Sequence, residues 1–203
     1  NAKVDKAQVF INGVDTQTRG IDIISSWQHS LFSGQHSLTL AANVTDTDVV
    51  KLNSPQNSEL QNLTIDQVFA KQDISIIERW QPKDRVSLSS LYQQDSWSLN
   101  IAVNRFGKYS IMDGESQTYG AKTLTDVRFE QHLSEQLSWY LGVNNLFDVT
   151  PDKNAIGNSH AGRIYDTQGN EIVDSPGVFK YSRRSAPFGF NGSYLYTGIN
   201  YHF

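Results

Sequence analysis

Cysteine is absent from the 203 residues, so neither a disulfide framework nor a thiolate metal site can form. No apolar run approaches the roughly 20 residues that a membrane-spanning helix needs. Positive charge is not in excess: 17 Lys and Arg against 21 Asp and Glu leave a net charge of -4, which argues against a nucleic-acid partner. Hydrophobic residues make up only 38%, low for a packed globular core, which fits either a barrel with a polar inner face or a loop-rich β protein. No signal peptide opens the sequence; an exported protein would therefore stand here in mature form or as a segment, and Asn1-Ala2 fit the remnant of a cleaved tag.

Signatures of catalysis are missing as well. There is no G-x-S-x-G and no phosphate loop. The five histidines, His29, His36, His132, His160 and His202, fall in no metal-ligand spacing, and Asp46-x-Asp48 begins no calcium-ligand series. His160 with Asp152 or Asp166 is the one pairing that a hydrolase at a barrel rim could use; solvated loop residues are the plainer reading. Lys51 and Arg183-Arg184 could attract an anion, but charged loop tips account for them equally. The expectation is a protein that is not an enzyme, with no cofactor and no bound metal.

What the sequence has instead is alternation with period two, the mark of strands with one dry and one wet face. An extended stretch begins at Val9-Phe10-Ile11, is interrupted by Asp15 to Gly20, and resumes with Ile21, Ile23, Ser25 and Trp27 on one parity. After a tight turn at Ser33-Gly34-Gln35, Leu38, Leu40, Ala42 and Val44 alternate with polar neighbours between His36 and Asp46. The same rhythm returns in Arg85 to Tyr92, in Trp97 to Asn104, in Thr123 to Glu130, in Leu137 to Asn144, and finally in Leu195, Thr197, Ile199, Tyr201 and Phe203. That makes about seven strands. Between them lie short turns at 93–96 and 134–136, a medium connection at 107–120, and long connections from about 47 to 84 and 148 to 191. In the first long one, Thr64-x-x-Gln67 matches a capping box, with Ile65, Val68, Phe69 and Ile76 at roughly helical spacing, so one short surface helix is expected there.

Short turns at one end and long loops at the other are the layout of an outer-membrane barrel. Trp27, Tyr92, Trp97 and Trp139 all sit near the short turns, while Phe106, Tyr109 and Phe147 sit near the long loops. Two bands of rings at the strand ends suit the two membrane interfaces, where an amphipathic ring is half wet. On the other parity, Asp126, Arg128, Glu130 and His132 line up on one strand, as a watery lumen or a solvated sheet face would have them. Arg105 falls on the apolar parity, at the loop end where such a charge costs only about 0–1 kcal/mol. A soluble β-sandwich, lectin-like, shares the same period and stays open as the alternative.

The last strand runs to the final residue, and Tyr196-x-Gly198-x-x-Tyr201-x-Phe203 resembles the C-terminal signal read by the bacterial barrel-assembly machinery. Asp15-Thr16-Gln17-Thr18-Arg19-Gly20-Ile21-Asp22, Gly142-Val143-Asn144-Asn145-Leu146-Phe147-Asp148 with Pro151-Asp152, and Ser185-Ala186-Pro187-Phe188-Gly189-Phe190-Asn191-Gly192 resemble segments of TonB-dependent outer-membrane receptors. The resemblance implies that residues 1–203 are the C-terminal part of a large transmembrane β-barrel, an all-β antiparallel up-and-down meander. The plug domain and the remaining strands would belong to the same full-length protein. It further implies a place in the bacterial outer membrane, with lipid, the assembly machinery and, through the N-terminal part, the TonB complex as partners in energised uptake of a siderophore or other nutrient. No ligand-contacting residue carries over. A lone segment with two open edges is expected to self-associate.

Overall fold

The computed structural model describes residues 13–53, 69–113, 115–155, 168, 180–182 and 186–203. In chain order these form β1 Val14–Leu31, β2 Gly34–Leu52, α1 Lys71–Arg79, β3 Asp84–Gln93, β4 Trp97–Phe106, β5 Tyr109–Asp113, β6 Glu115–Tyr119, β7 Lys122–His132, β8 Leu137–Asn144 and β9 Tyr194–Tyr201. Seven strands make one antiparallel sheet in the order β1-β2-β3-β4-β7-β8-β9, and β5 pairs only with β6. The protein is thus all-β with an up-and-down meander, as the alternation predicts. The sheet is open, with β1 and β9 at its edges.

All three short turns lie at one end of the sheet, and α1, the β5–β6 hairpin and residues 145–155 and 186–193 lie at the other. The first short turn is Phe32-Ser33, because Leu31 pairs with Gly34; it falls one position earlier than the tripeptide Ser33-Gly34-Gln35 suggests. Phe32 takes a φ of 54° there, and the Tyr92 hydroxyl, donating to the Leu31 carbonyl at 3.1 Å, holds the turn against β3.

Two expectations need correcting, and a third, the short helix of the first long connection, is met in part. Residues 15–20 do not interrupt a strand: β1 runs unbroken through them, and β2 continues to Leu52 rather than ending near Asp46. Both arms are wet there, so the alternation disappears although the pairing does not. Thr18 meets Thr47 at 2.9 Å and Arg19 lies opposite Asp46, while the β-branched Thr and Val residues keep the backbone extended. β3 stops opposite Val44, so this part of the hairpin projects beyond the sheet with one further rung, Thr45 N–H to the Lys83 carbonyl at 2.7 Å. Second, the medium connection is itself a hairpin, β5–β6. Third, the described helix starts at Lys71 and keeps only Ile76 of the expected apolar set; Thr64, Ile65, Gln67 and Val68 lie outside the described residues, as do Asn1-Ala2 and Val9 to Ile11. Asp73 takes the capping role, accepting the Ala70 N–H at 2.9 Å in the first turn, where a carboxylate also suits the helix dipole.

The one buried apolar cluster among the described residues is small and lies off the main sheet. Tyr109, Ile111 and Tyr119 are buried in the β5–β6 hairpin, with Trp80 packed against them. Tyr109 and Tyr119 stack with centroids 5.0 Å apart. Burial, reinforced by the nearby Tyr119 and Asp152, pushes the Tyr109 hydroxyl up to about 12. Ile111→Ala removes the centre of this cluster, a change worth about 2–5 kcal/mol at a buried site. The loss falls on α1 and the hairpin: trypsin cleaves after Arg79 and Lys108 faster in the variant, while the circular dichroism of the seven-stranded sheet is unchanged.

Candidate membrane interface and loop-end cap

Cross-strand partners point to the same face, so the register sorts every side chain of the sheet. One face carries Ile23–Ala42–Val86, then Leu40–Leu88–Val103, then Ile101–Val127–Val143–Leu195, and Leu99–Phe129–Leu141–Thr197. The other carries Asp22–Asn43–Arg85, Ser26–Thr39–Ser89–Ala102–Asp126, and Gln28–Ser37–Leu91–Asn100–Arg128. Among the described residues no second layer covers the apolar side: Ile21 is 67% exposed, Leu195 66% and Ile199 69%.

Near the short turns this face bears a chain of rings. Tyr92 meets Trp97 at 5.3 Å, Trp97 meets Phe129 at 6.0 Å, and Phe129 meets Trp139 at 6.4 Å, spanning four adjacent strands. Phe129, not among the expected girdle residues, is the link between the two tryptophans. The Trp139 indole N–H donates to Thr197 Oγ1 at 2.9 Å, and that hydroxyl donates to the Tyr140 carbonyl at 2.7 Å, so the polar edge of the ring is satisfied within the sheet. Trp27 shares the face but stands apart from the chain, with the His29–His36 pair between its row and the turn. The three rings expected as a second band at the loop end do not share one face. Phe106 sits on the polar parity between Arg85 and Lys122 and packs on Phe188 at 5.4 Å, Tyr109 is buried, and only Phe147 is exposed. Arg105, the charge on the apolar parity, is ion-paired with Asp84.

The C-terminal spacing divides between the faces. Tyr201 projects on the apolar side beside Leu137, and Phe203 follows the end of β9 fully exposed, its ring 5.1 Å from that of Tyr201. Tyr196 and Gly198 belong to the polar side. There the Tyr196 ring lies over Gly142 and the Tyr140 ring over Gly198, in the space a β-carbon at either glycine would fill. Each glycine thus gives a cross-strand tyrosine room to lie flat on the sheet. Arg128 caps the pair, its guanidinium 4.2 Å above the Tyr140 ring and 2.9 Å from Glu130, which also accepts from Ser138 at 2.7 Å.

The Asn145-Leu146-Phe147-Asp148 segment acts as a clasp at the top of β8. Asn145 turns the chain at a φ of 52°; its N–H donates to Asp126 Oδ1 at 2.7 Å, and its buried amide makes two bonds with the Val149 backbone, at 2.7 and 2.9 Å. Leu146 N–H reaches the Thr125 carbonyl at 2.7 Å. Asp148, at a φ of 54°, accepts the Ser193 N–H at 2.9 Å and so sets the start of β9; Gly192 passes beside it at a φ of 79°. Next, Asp152 takes the Lys122 ammonium and the Gly120 N–H, both at 2.6 Å, so Asp152 is committed to structure rather than to a histidine. These two bonds, Lys122 first, hold its carboxyl below the ordinary value of 3.8. Of the other loop candidates, Asp46 is paired with Lys83, while His160, Asp166 and Arg183-Arg184 lie outside the described residues. Among the described residues no group of three His, Asp or Glu could hold a metal ion.

Comparison of the chain with protein-family models, curated proteins and solved structures gives no match. Its description therefore rests on its own residues: an open antiparallel meander with one apolar and one polar face and a polar clasp at the loop end.

Asn145→Ala removes two side-chain hydrogen bonds at a buried site and leaves an alanine at positive φ; the expected cost is about 2–4 kcal/mol, read as a shift of the denaturant midpoint. For Asp152 the folded state favours the charged form. Its contribution is therefore present above the ordinary carboxyl range and lost as pH falls through the lowered folded value. Hydrogen exchange of the Gly120 amide is expected to lose protection below about pH 4, and Asp152→Asn is expected to remove that pH dependence.

Proposed function

We propose that this chain is wall and loop-end structure of an outer-membrane β-barrel of the TonB-dependent receptor type, serving energised uptake of a siderophore or other nutrient across the bacterial outer membrane. The reading is carried by one observation: an apolar face continuous over seven strands that nothing among the described residues covers, set back to back with a polar one. A sheet of that kind needs acyl chains on one side and water on the other. The ten-residue strands β3 and β4 are about 33 Å long, so a tilt of about 40° lets them cross an apolar band of about 25 Å. The ring chain Tyr92–Trp97–Phe129–Trp139 supplies one interfacial girdle, at the short-turn end. The resemblance of Asn144 to Asp148 and of the C-terminal spacing to receptor segments supports the family assignment. In this reading the plug, the other strands, the TonB contact and the ligand-contacting groups lie elsewhere in the full-length protein, and the barrel-assembly machinery reads Tyr196, Gly198, Tyr201 and Phe203.

The alternative, a soluble lectin-like sandwich, needs a second sheet over Leu141 and Ile199, and the described residues contain none.

Refolding into vesicles of brominated lipid tests the proposal. Fluorescence of Trp97 and Trp139, isolated in single-tryptophan variants, is quenched by bromines near the headgroups, whereas Trp80 in the loop-end cluster is not. Leu141→Arg on the lipid face destabilises by about 2–4 kcal/mol, and Ser89→Arg on the wet face does so by less than about 1 kcal/mol. Without lipid or detergent the chain sediments as oligomers, through its open edges and apolar face. A monodisperse monomer in plain buffer with Trp97 and Trp139 unquenched would refute the membrane reading.

A further inference from the structure

The first hairpin brings together two histidines whose separation in the sequence matches no ligand spacing. Because Leu31 faces Gly34 across the Phe32-Ser33 turn, His29 of β1 faces His36 of β2. Their rings meet edge to face, with centroids 4.9 Å apart and planes at 88°, and His29 Nε2 stands 3.4 Å from His36 Nδ1. On its other side, His36 Nε2 lies 2.8 Å from Ser90 Oγ of β3.

We propose that His29 and His36 form a two-imidazole site for a divalent transition-metal ion of the zinc, nickel and copper(II) class. Geometry carries the argument. Two imidazole nitrogens bound to one tetrahedral ion at about 2.0–2.1 Å stand about 3.3–3.4 Å apart, and the observed separation of 3.4 Å matches that bite. As a direct hydrogen bond the same contact is long, since N–H donors usually sit at about 2.9–3.0 Å from their acceptors. The contact to Ser90 supplies the second requirement. With Nε2–H donating to Ser90 Oγ, the His36 lone pair is left on Nδ1, the atom turned towards His29. Metal-bound imidazoles are held in this way, by a hydrogen bond from the nitrogen that does not bind. The side chains around the pair on this face are Trp27, Leu31, Leu38, Ser90 and Tyr92, with no ammonium, guanidinium or carboxylate among them, so neither a cation repels the ion nor a carboxylate diverts it. The class follows from the donors: neutral imidazole suits zinc, nickel and copper, and with no oxygen cage nearby calcium and magnesium are disfavoured. Water completes the coordination shell.

The site has a mechanical consequence. β1 is an edge strand whose one partner among the described residues is β2, and an ion bridging His29 to His36 fastens the two strands beside their turn. This inference does not rest on the membrane reading; it holds for the hairpin whether or not the sheet meets lipid.

Copper(II) titrated into the folded full chain, in the detergent or lipid that keeps it dispersed, is the test. The electron paramagnetic resonance spectrum is expected to show superhyperfine splitting from two imidazole nitrogens. His29→Ala and His36→Ala each weaken binding at least tenfold and reduce the splitting to that of one imidazole, and Ser90→Ala weakens it about tenfold by releasing His36. A second measurement needs no variant: zinc is expected to protect His29 and His36 from diethyl pyrocarbonate while His132 and His202 react at an unchanged rate. Equal affinity in the parent and the double variant, or equal modification of His29 and His36 with and without zinc, overturns the proposal.

Discussion

Strict alternation along every strand, locked by register, is the constraint on which the rest of the structure depends. A slip of one residue in β4 against its neighbours would turn Leu99, Ile101 and Val103 to the side of Arg128, and the same holds strand by strand. The register therefore has to be defended, and devices at both ends do so. At the short-turn end, Tyr92 reaches across to the Leu31 carbonyl and Trp139 ties β8 to Thr197 of β9. At the loop end, Asn145 grips Asp126 and Asp148 grips the first residue after Gly192. Each device joins two segments through a side chain of fixed reach, Tyr92 reaching from β3 past β2 to β1, so a slipped register would break it.

These devices are almost all polar. A soluble domain of this size would pin its strands by apolar burial between layers. Here the described residues bury only Tyr109, Ile111 and Tyr119 as a core, and those serve the loop-end hairpin and α1. The sheet itself is held by its backbone ladder, by cross-strand tyrosines lying over Gly142 and Gly198, and by the ion pairs Arg105–Asp84 and Lys122–Asp152 at the loop end. Apolar side chains such as Ile199 and Leu195 contribute little to cohesion within the chain because they touch so little of it. The described residues leave that burial unmet, and in the proposed reading lipid supplies it.

The sequence exposes this design unevenly, for physical reasons. Strand positions, short turns and the apolar parity were legible because each is a local pattern: Trp97, Leu99, Ile101 and Val103 need only their neighbours to be read. Thr16 to Arg19 misled, because a hairpin arm wet on both sides keeps its pairing without alternation. Phe106 and Tyr109 misled because nearness to a loop says nothing about parity or about a local core, and Phe106 turned out to face Arg85 and Phe188. The His29–His36 meeting was hidden for a different reason. It follows from the placement of a two-residue turn, and shifting that turn by one position, as the tripeptide Ser33-Gly34-Gln35 suggests, sets His36 against a different residue of β1. The structural work of Asn145 and Asp148 was equally invisible, since their partners Asp126 and Ser193 are far along the chain.

Strand direction bears on how such a wall can close. β1 and β9 both run from the loop end to the short-turn end, because an odd number of antiparallel strands separates like from like. Joining β9 directly to β1, in one chain or head to tail between copies, would make a parallel pair inside an otherwise antiparallel sheet, with slanted bonds and a broken ladder. Pairing β1 with β1 of a second copy would be antiparallel but would turn the two copies upside down, placing the two α1 helices at opposite ends of the joined sheet. Neither arrangement suits a wall with one loop side and one turn side. Uniform antiparallel closure needs an odd number of further strands between β9 and β1, which gives an even total. That parity follows from the seven strands in hand, and it agrees with the proposal that they are one arc of a larger barrel.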